Sequence, residues 1–182
     1  MARNTISRSL HDLGLSAWFG GTLANAVSLN PATAEAADPS ARGAVANAGW
    51  DRWTPVNAAA IGAHVIGSLG QIKGNTARIQ GQQGVATMVV AKTALTAAAL
   101  GATAYARILG QRVSEYQAVP VAAGTKPSGG TPAEVAAAQK QLDVLQWAIP
   151  ALTGAVVVIS AFAGEQERAS EVHKGFAKRL IG

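Results

Sequence analysis

Trp53–Ile72, WTPVNAAAIGAHVIGSLGQI, is the stretch on which the fold turns. It holds no charged residue over 20 positions. About 20 such residues are what a helix needs to cross a hydrocarbon core. Thr54 is placed to cap a start here, and Pro55 suits a first helical turn. The polar residues keep to one side. At about 100° per residue, Asn57, His64, Ser68, Gln71 and Asn75 share a narrow arc. A membrane helix turns such a stripe toward protein rather than lipid. The rest of the chain reads as the partners of that face.

Three further segments have comparable length. Leu13–Ala34 carries no charge, and Asn30-Pro31 is expected to end its helix. Gly84–Ala106 is interrupted only by Lys92, and Val144–Gly164 is uncharged with Pro150 inside it. Pro150 is expected to kink or loosen a turn. The spans so read are about 10–30, 54–72, 84–106 and 143–164. The expected fold is all-α: an integral membrane four-helix bundle in one domain, 1–182. Its third and fourth helices extend outside the membrane over about 107–142. Thr131-Pro132-Ala133-Glu134 has the form of a capping box, which starts a helix near Pro132. A competing reading of the N-terminus is a cleaved signal peptide ending near Ala34-Glu35-Ala36. His11, Asp12 and Asn25 interrupt the apolar core that such a peptide needs.

The first helix has its own polar face, with His11, Trp18, Thr22 and Asn25. Lys92, Thr96 and Thr103 share a face of the third, and Gln146, Thr153 and Ser160 one of the fourth. With antiparallel neighbours, Asn25 falls level with Asn57, Trp18 with His64, and His11 with Gln71. His64 falls level with Lys92, and Thr153 lies near that depth. His11 and His64 are then one to two turns apart, too offset to hold a haem between them. The candidate polar interior is His64, Lys92, Trp18, Asn25, Asn57, Thr96 and Thr153. Such residues hydrogen-bond across membrane helices, and Gly20, Gly21, Gly62, Gly67, Gly70 and Gly101 permit close approach. Lys92 carries the functional alternative, because a lysine inside a span is costly and usually serves a pathway or a partner. It can also snorkel to the inner surface.

Charge and composition exclude several classes. Charged residues make up 14% of the chain and the net charge is +5. The basic residues form no stripe with interleaved aromatics, so no nucleic-acid partner is expected. They flank the spans instead. Arg3, Arg8, Lys73, Arg78, Arg168, Lys174, Lys178 and Arg179 fall on one side, which places both termini in the cytoplasm. Trp50 and Trp53 stand at the start of the second span, where an interfacial belt or ordinary packing places them. Glu165–Gly182 reads as an amphipathic tail on the membrane surface. Cysteine is absent, so thiolate metal sites and disulfides are excluded. No phosphate loop, zinc signature or nucleophile elbow is present, so no enzyme activity, cofactor or metal is expected.

His11, Trp18, Gly20 and Gly21 form H-x6-W-x-G-G in the first helix. This resembles the opening of several bacterial small multi-spanning families, including copper-resistance D-type membrane proteins. The resemblance covers one helix and implies the membrane class, without copper transport. The expected function is a non-catalytic accessory or scaffold subunit of a bacterial inner membrane. Its partners are the lipid bilayer and a membrane protein, or further copies of itself. The alternative is a small transporter or proton-linked carrier built around His64 and Lys92.

Overall fold

The computed structural model describes residues 4–166 together with Arg168 and Val172. The chain is all-helical apart from one small ribbon. Helix α1 is Thr5–Ala24, followed by a π-helical turn, Asn25–Leu29, a short α2, Asn30–Ala32, and a 3-10 turn, Thr33–Glu35. Helix α3 is Pro39–Gly74, α4 is Thr76–Gly81 and α5 is Val85–Ser114. Strands β1, Val121–Ala123, and β2, Lys126–Pro127, pair antiparallel, and α6 is Ala133–Glu165. The proposed surface tail and Arg3 lie largely outside the described residues.

Two sequence expectations about helix ends are corrected. Pro31 does not end the first helix. The π turn before it widens the ladder, so the proline ring is accommodated and α2 continues to Ala32. Nor does the second long helix start at Thr54. It begins at Pro39, where the Asp38 carboxylate accepts from the Ser40 backbone N–H at 2.9 Å. The Ser40 hydroxyl and that N–H hold the Asp38 carboxyl below the usual carboxylate range. Thr54 instead donates to the Trp50 carbonyl at 2.8 Å, and Pro55 lies inside α3.

The capping box at Thr131 is a third correction. Helix α6 does start at Ala133, but no side chain caps it. Thr131 Oγ donates to the Pro120 carbonyl at 2.6 Å and accepts from the Ser128 N–H at 2.8 Å. Glu134 is engaged by the Tyr116 hydroxyl. Thr131 therefore ties down the loop rather than the helix. Thr131→Ala is expected to leave the start of α6 unchanged and speed exchange of the Ser128 amide. The loss is about 1 kcal/mol for a hydrogen bond of this kind. Hydrogen exchange that accelerates at Ala136 instead would restore the cap.

Helix α1 sits between α3 and α6, and α5 packs on α6. By length and composition α5 and α6 are apolar enough to cross a membrane. Helices α1 and α3 fall short, where the sequence reading expected four spans. Their Gly, Ser, Asn and His residues, which make the packing face, are what lower their hydropathy. Beyond the apolar middle, Leu109 and Val113 of α5 meet Val135 and Ala138 of α6 in a buried cluster. The ribbon packs beside it, against α3 and α6.

The α1–α3 seam depends on glycine. A Cβ at Gly14 would stand 2.3 Å from the Ala60 carbonyl oxygen and 2.5 Å from the His64 nitrogen. One at Gly67 would stand 2.3 Å from the His11 nitrogen. Backbones that meet this closely leave no room for a methyl group. Gly21 likewise lies under the Trp53 ring, and Gly70 against Ser7. Gly20, Gly62 and Gly101, expected in the same role, face open space.

Candidate functional site

The seam carries three buried side chains with polar handles. Trp18 and His64 are 0% exposed and His11 is 1% exposed. The rings of His11 and His64 lie 4.5 Å apart, centroid to centroid, tilted by 47°. This corrects the offset of one to two turns. The register of α1 on α3 differs from the expected one: Gly67 stands against His11 and Gly70 against Ser7, so His11 meets His64 and not Gln71. Trp18 lies 6.1 Å from His64, and its indole N–H donates to Thr103 Oγ of α5 at 3.2 Å.

The hydrogen-bond partners fix how the imidazoles carry their protons. His11 Nδ1 is 2.6 Å from Asp12 Oδ1, and His64 Nδ1 is 3.4 Å from the His11 carbonyl oxygen. Both neighbours are acceptors, so each Nδ1 carries the hydrogen and each Nε2 is a lone pair. Neither Nε2 has a hydrogen-bond partner among the described residues, although both are buried.

The remaining candidates divide between this seam and a cleft. Lys92 is half-buried on α5 and acts electrostatically on both imidazoles. It lines a cleft of about 250 Å³ with Thr96, Ser68 and Gln71. A second cleft, of about 300 Å³, holds Asn57, Trp50, Trp53 and Thr103. Leu100 lines both, so they follow one another along the gap between α3 and α5. Those two helices touch little: α3 packs mainly on α1, and α5 on α6. The Arg107 guanidinium donates to the Asp51 carboxylate at 3.0 Å and bridges the gap. Asn25 stands half-buried in the π turn. Thr153 is fully buried, but its hydroxyl is used within α6, on the Ile149 carbonyl at 2.9 Å.

Asn30 is the polar residue that sequence reasoning missed. Its amide donates to Gln146 Oε1 at 2.8 Å and accepts from the Trp50 indole at 3.0 Å. Its backbone carbonyl accepts from the Gly124 N–H at 3.3 Å. One side chain and one carbonyl thus join α2, α3, α6 and the ribbon. Trp50 has a packing partner here, and Trp53 packs on Gly21. Asp143 completes the corner, accepting from Lys126 at 2.6 Å, Gln146 at 2.8 Å and Thr125 at 3.1 Å. The signal for Asn30 was its position before a proline in an otherwise apolar run.

Among the described residues, no group of three or more His, Asp or Glu side chains is placed to hold a metal ion. Comparison with protein families, curated proteins and solved structures finds no match for this chain.

Proposed function

We propose that the chain is a non-catalytic accessory subunit embedded in a membrane, with cytoplasmic termini, which packs a partner's apolar helix into the α3–α5 gap. The observation that carries this is the gap itself. Two long helices flank it with only slight contact between them, and α6 contributes to the lining of both clefts, with Leu142, Gln146 and Ile149 in one and Ala163 in the other. Large apolar side chains near it also face outward, with Ile66, Leu69 and Val90 all more than half exposed. A lone bundle in lipid gains little by hiding such groups, since lipid is as apolar as they are. A gap between helices is different, because its walls lose dispersion contacts until something fills it.

Two measurements test the reading. Reporter fusions after Ser40, Gly74, Pro127 and Gly182 are expected to read out, in, out, in; export of the Gly74 fusion would overturn the orientation. Purification in mild detergent is expected to retain a stoichiometric membrane-protein partner. Ala58→Trp and Ala97→Trp, one in each cleft, are expected to release it while the protein stays inserted. A monodisperse single chain with no partner, stabilised by a small cargo, would favour the carrier instead. Retention of the partner by both tryptophan variants would move the interface off this gap.

A further inference from the structure

We propose that His11 and His64 form a single-proton site: the pair takes up one proton between its two rings, with Asp12 as the balancing charge. Two buried acceptor nitrogens on touching rings are left without partners. Unpaired buried polar groups are rare in folded proteins and call for an occupant. The chemistry here is specific, because both atoms are lone pairs. They can receive a proton, or the O–H of a water, but they cannot donate.

Charge decides how many protons fit. A proton on one Nε2 makes that imidazole a cation, and Asp12, 2.6 Å from His11, supplies one balancing negative charge. A second imidazolium would sit at the 4.5 Å ring spacing, buried, with no second anion among the described residues acting on the pair. The charged groups acting on the pair are Arg8 and Asp12 from α1 and Lys92 from α5. Two of the three are cations, which oppose the second proton further. Rings coupled in this way titrate as one unit rather than as two residues. In the net step a hydronium ion gives up its proton and leaves as water. One Nε2 lone pair becomes an N–H bond, and no other bond changes. Asp12 is the exposed member of this group: its side chain is 58% exposed and that of His11 1%. The tight glycine seam holds the rings at this spacing, which ties the proton to the packing of α1 on α3.

The test uses the full chain in detergent micelles, with ¹⁵N-labelled histidine, followed by NMR from neutral to acid pH while the fold is monitored. His173 is assigned by its loss in His173→Gln. The ring signals of His11 and His64 are expected to move together, and the pair to gain one proton in total. His64→Gln is expected to leave the gain at one, now on His11 alone. A gain of two in the wild type, falling to one in the variant, would show independent sites and overturn the proposal. No gain before unfolding would overturn it too, and would assign the two lone pairs to a trapped water. The wild-type count stands without any variant; His11→Gln serves if His64→Gln does not fold. Asp12→Asn removes the balancing charge and is expected to move the uptake to lower pH without changing the count; an unchanged midpoint would remove Asp12 from that role.

Discussion

Replacing Gly14 by leucine is expected to separate α1 from α3. Even the first added atom would overlap the Ala60 carbonyl oxygen, at 2.3 Å, and the His64 nitrogen, at 2.5 Å. Both obstacles are backbone, so neither can swing aside. Overpacking of a side-chain core costs about 1–3 kcal/mol. A clash against two backbone atoms belongs at or above the top of that range, about 3 kcal/mol or more. Gly67→Leu meets the same obstacle from α3, against the His11 nitrogen and the Ser7 carbonyl. Thermal unfolding in detergent checks the size of the effect. The matched controls are Gly20→Ala and Gly62→Ala, whose added methyl groups meet nothing within 4 Å. They are expected to be neutral or to stabilise by up to about 1 kcal/mol through helix propensity. Equal behaviour of the two sets would mean that the seam is not glycine-dependent.

Trp18→Ala is the second large effect. The side chain is 0% exposed and reaches from α1 to Thr103 on α5. Large-to-small core substitutions of this kind cost about 3–5 kcal/mol in water-soluble proteins. On the membrane reading proposed above, the water-transfer share falls away and the cavity and packing share remains, so about 3 kcal/mol is expected. Trp18→Phe keeps most of the bulk and forfeits the indole N–H bond, for about 1 kcal/mol. Loss of the tryptophan also removes a wall beside His64, 6.1 Å away, so the histidine ring signals should shift with it. A stability change below about 1 kcal/mol for Trp18→Ala would show that α5 and α6 hold the bundle without this contact.

Periodicity made much of this legible. His11, Gly14 and Trp18 fall on one face at spacings of three and four, and His64 and Gly67 on another, so both sides of the seam were present in the pattern. The pattern did not say which glycines touch a partner, because Gly20 and Gly62 differ from Gly21 and Gly67 only in helix rotation. It also misplaced the register of His11 against His64, since the connection taken for a loop is largely helical from Asn25 to Glu35 and α3 starts at Pro39. The true start of α3 was written in the chain, as Asp38 before Pro39, a cap residue and a first-turn proline. The Ala- and Gly-rich run after it reads as linker, and the longer apolar run at Trp53 drew the boundary away. Neighbourhood was the other gap in the reading. The short connection through α4 suggests that α3 and α5 pack together, yet α3 packs on α1 and α5 on α6, which leaves their gap open. Tertiary competition of that kind has no trace in a local pattern. The Asn30 corner was hidden for a similar reason: its partners at Trp50, Gly124 and Gln146 come from three distant parts of the sequence.

Helix α3 runs unbroken for 36 residues. At about 1.5 Å per residue that is a rod of about 54 Å. A hydrocarbon core is about 30 Å thick, so the rod is longer than any membrane it could cross. One end is gripped by the ribbon, where Arg42 donates to the Ala122 carbonyl at 3.2 Å and Gly124 lies against Ala46. His64 sits far down the same rod. The helix therefore links the ribbon to the histidine pair without a loop. Between the Asn30 corner, where Trp50 is tied, and His64, Pro55 interrupts the ladder of backbone N–H donors. A strain applied at the ribbon reaches the seam by way of that residue, which makes Pro55 the joint of the rod.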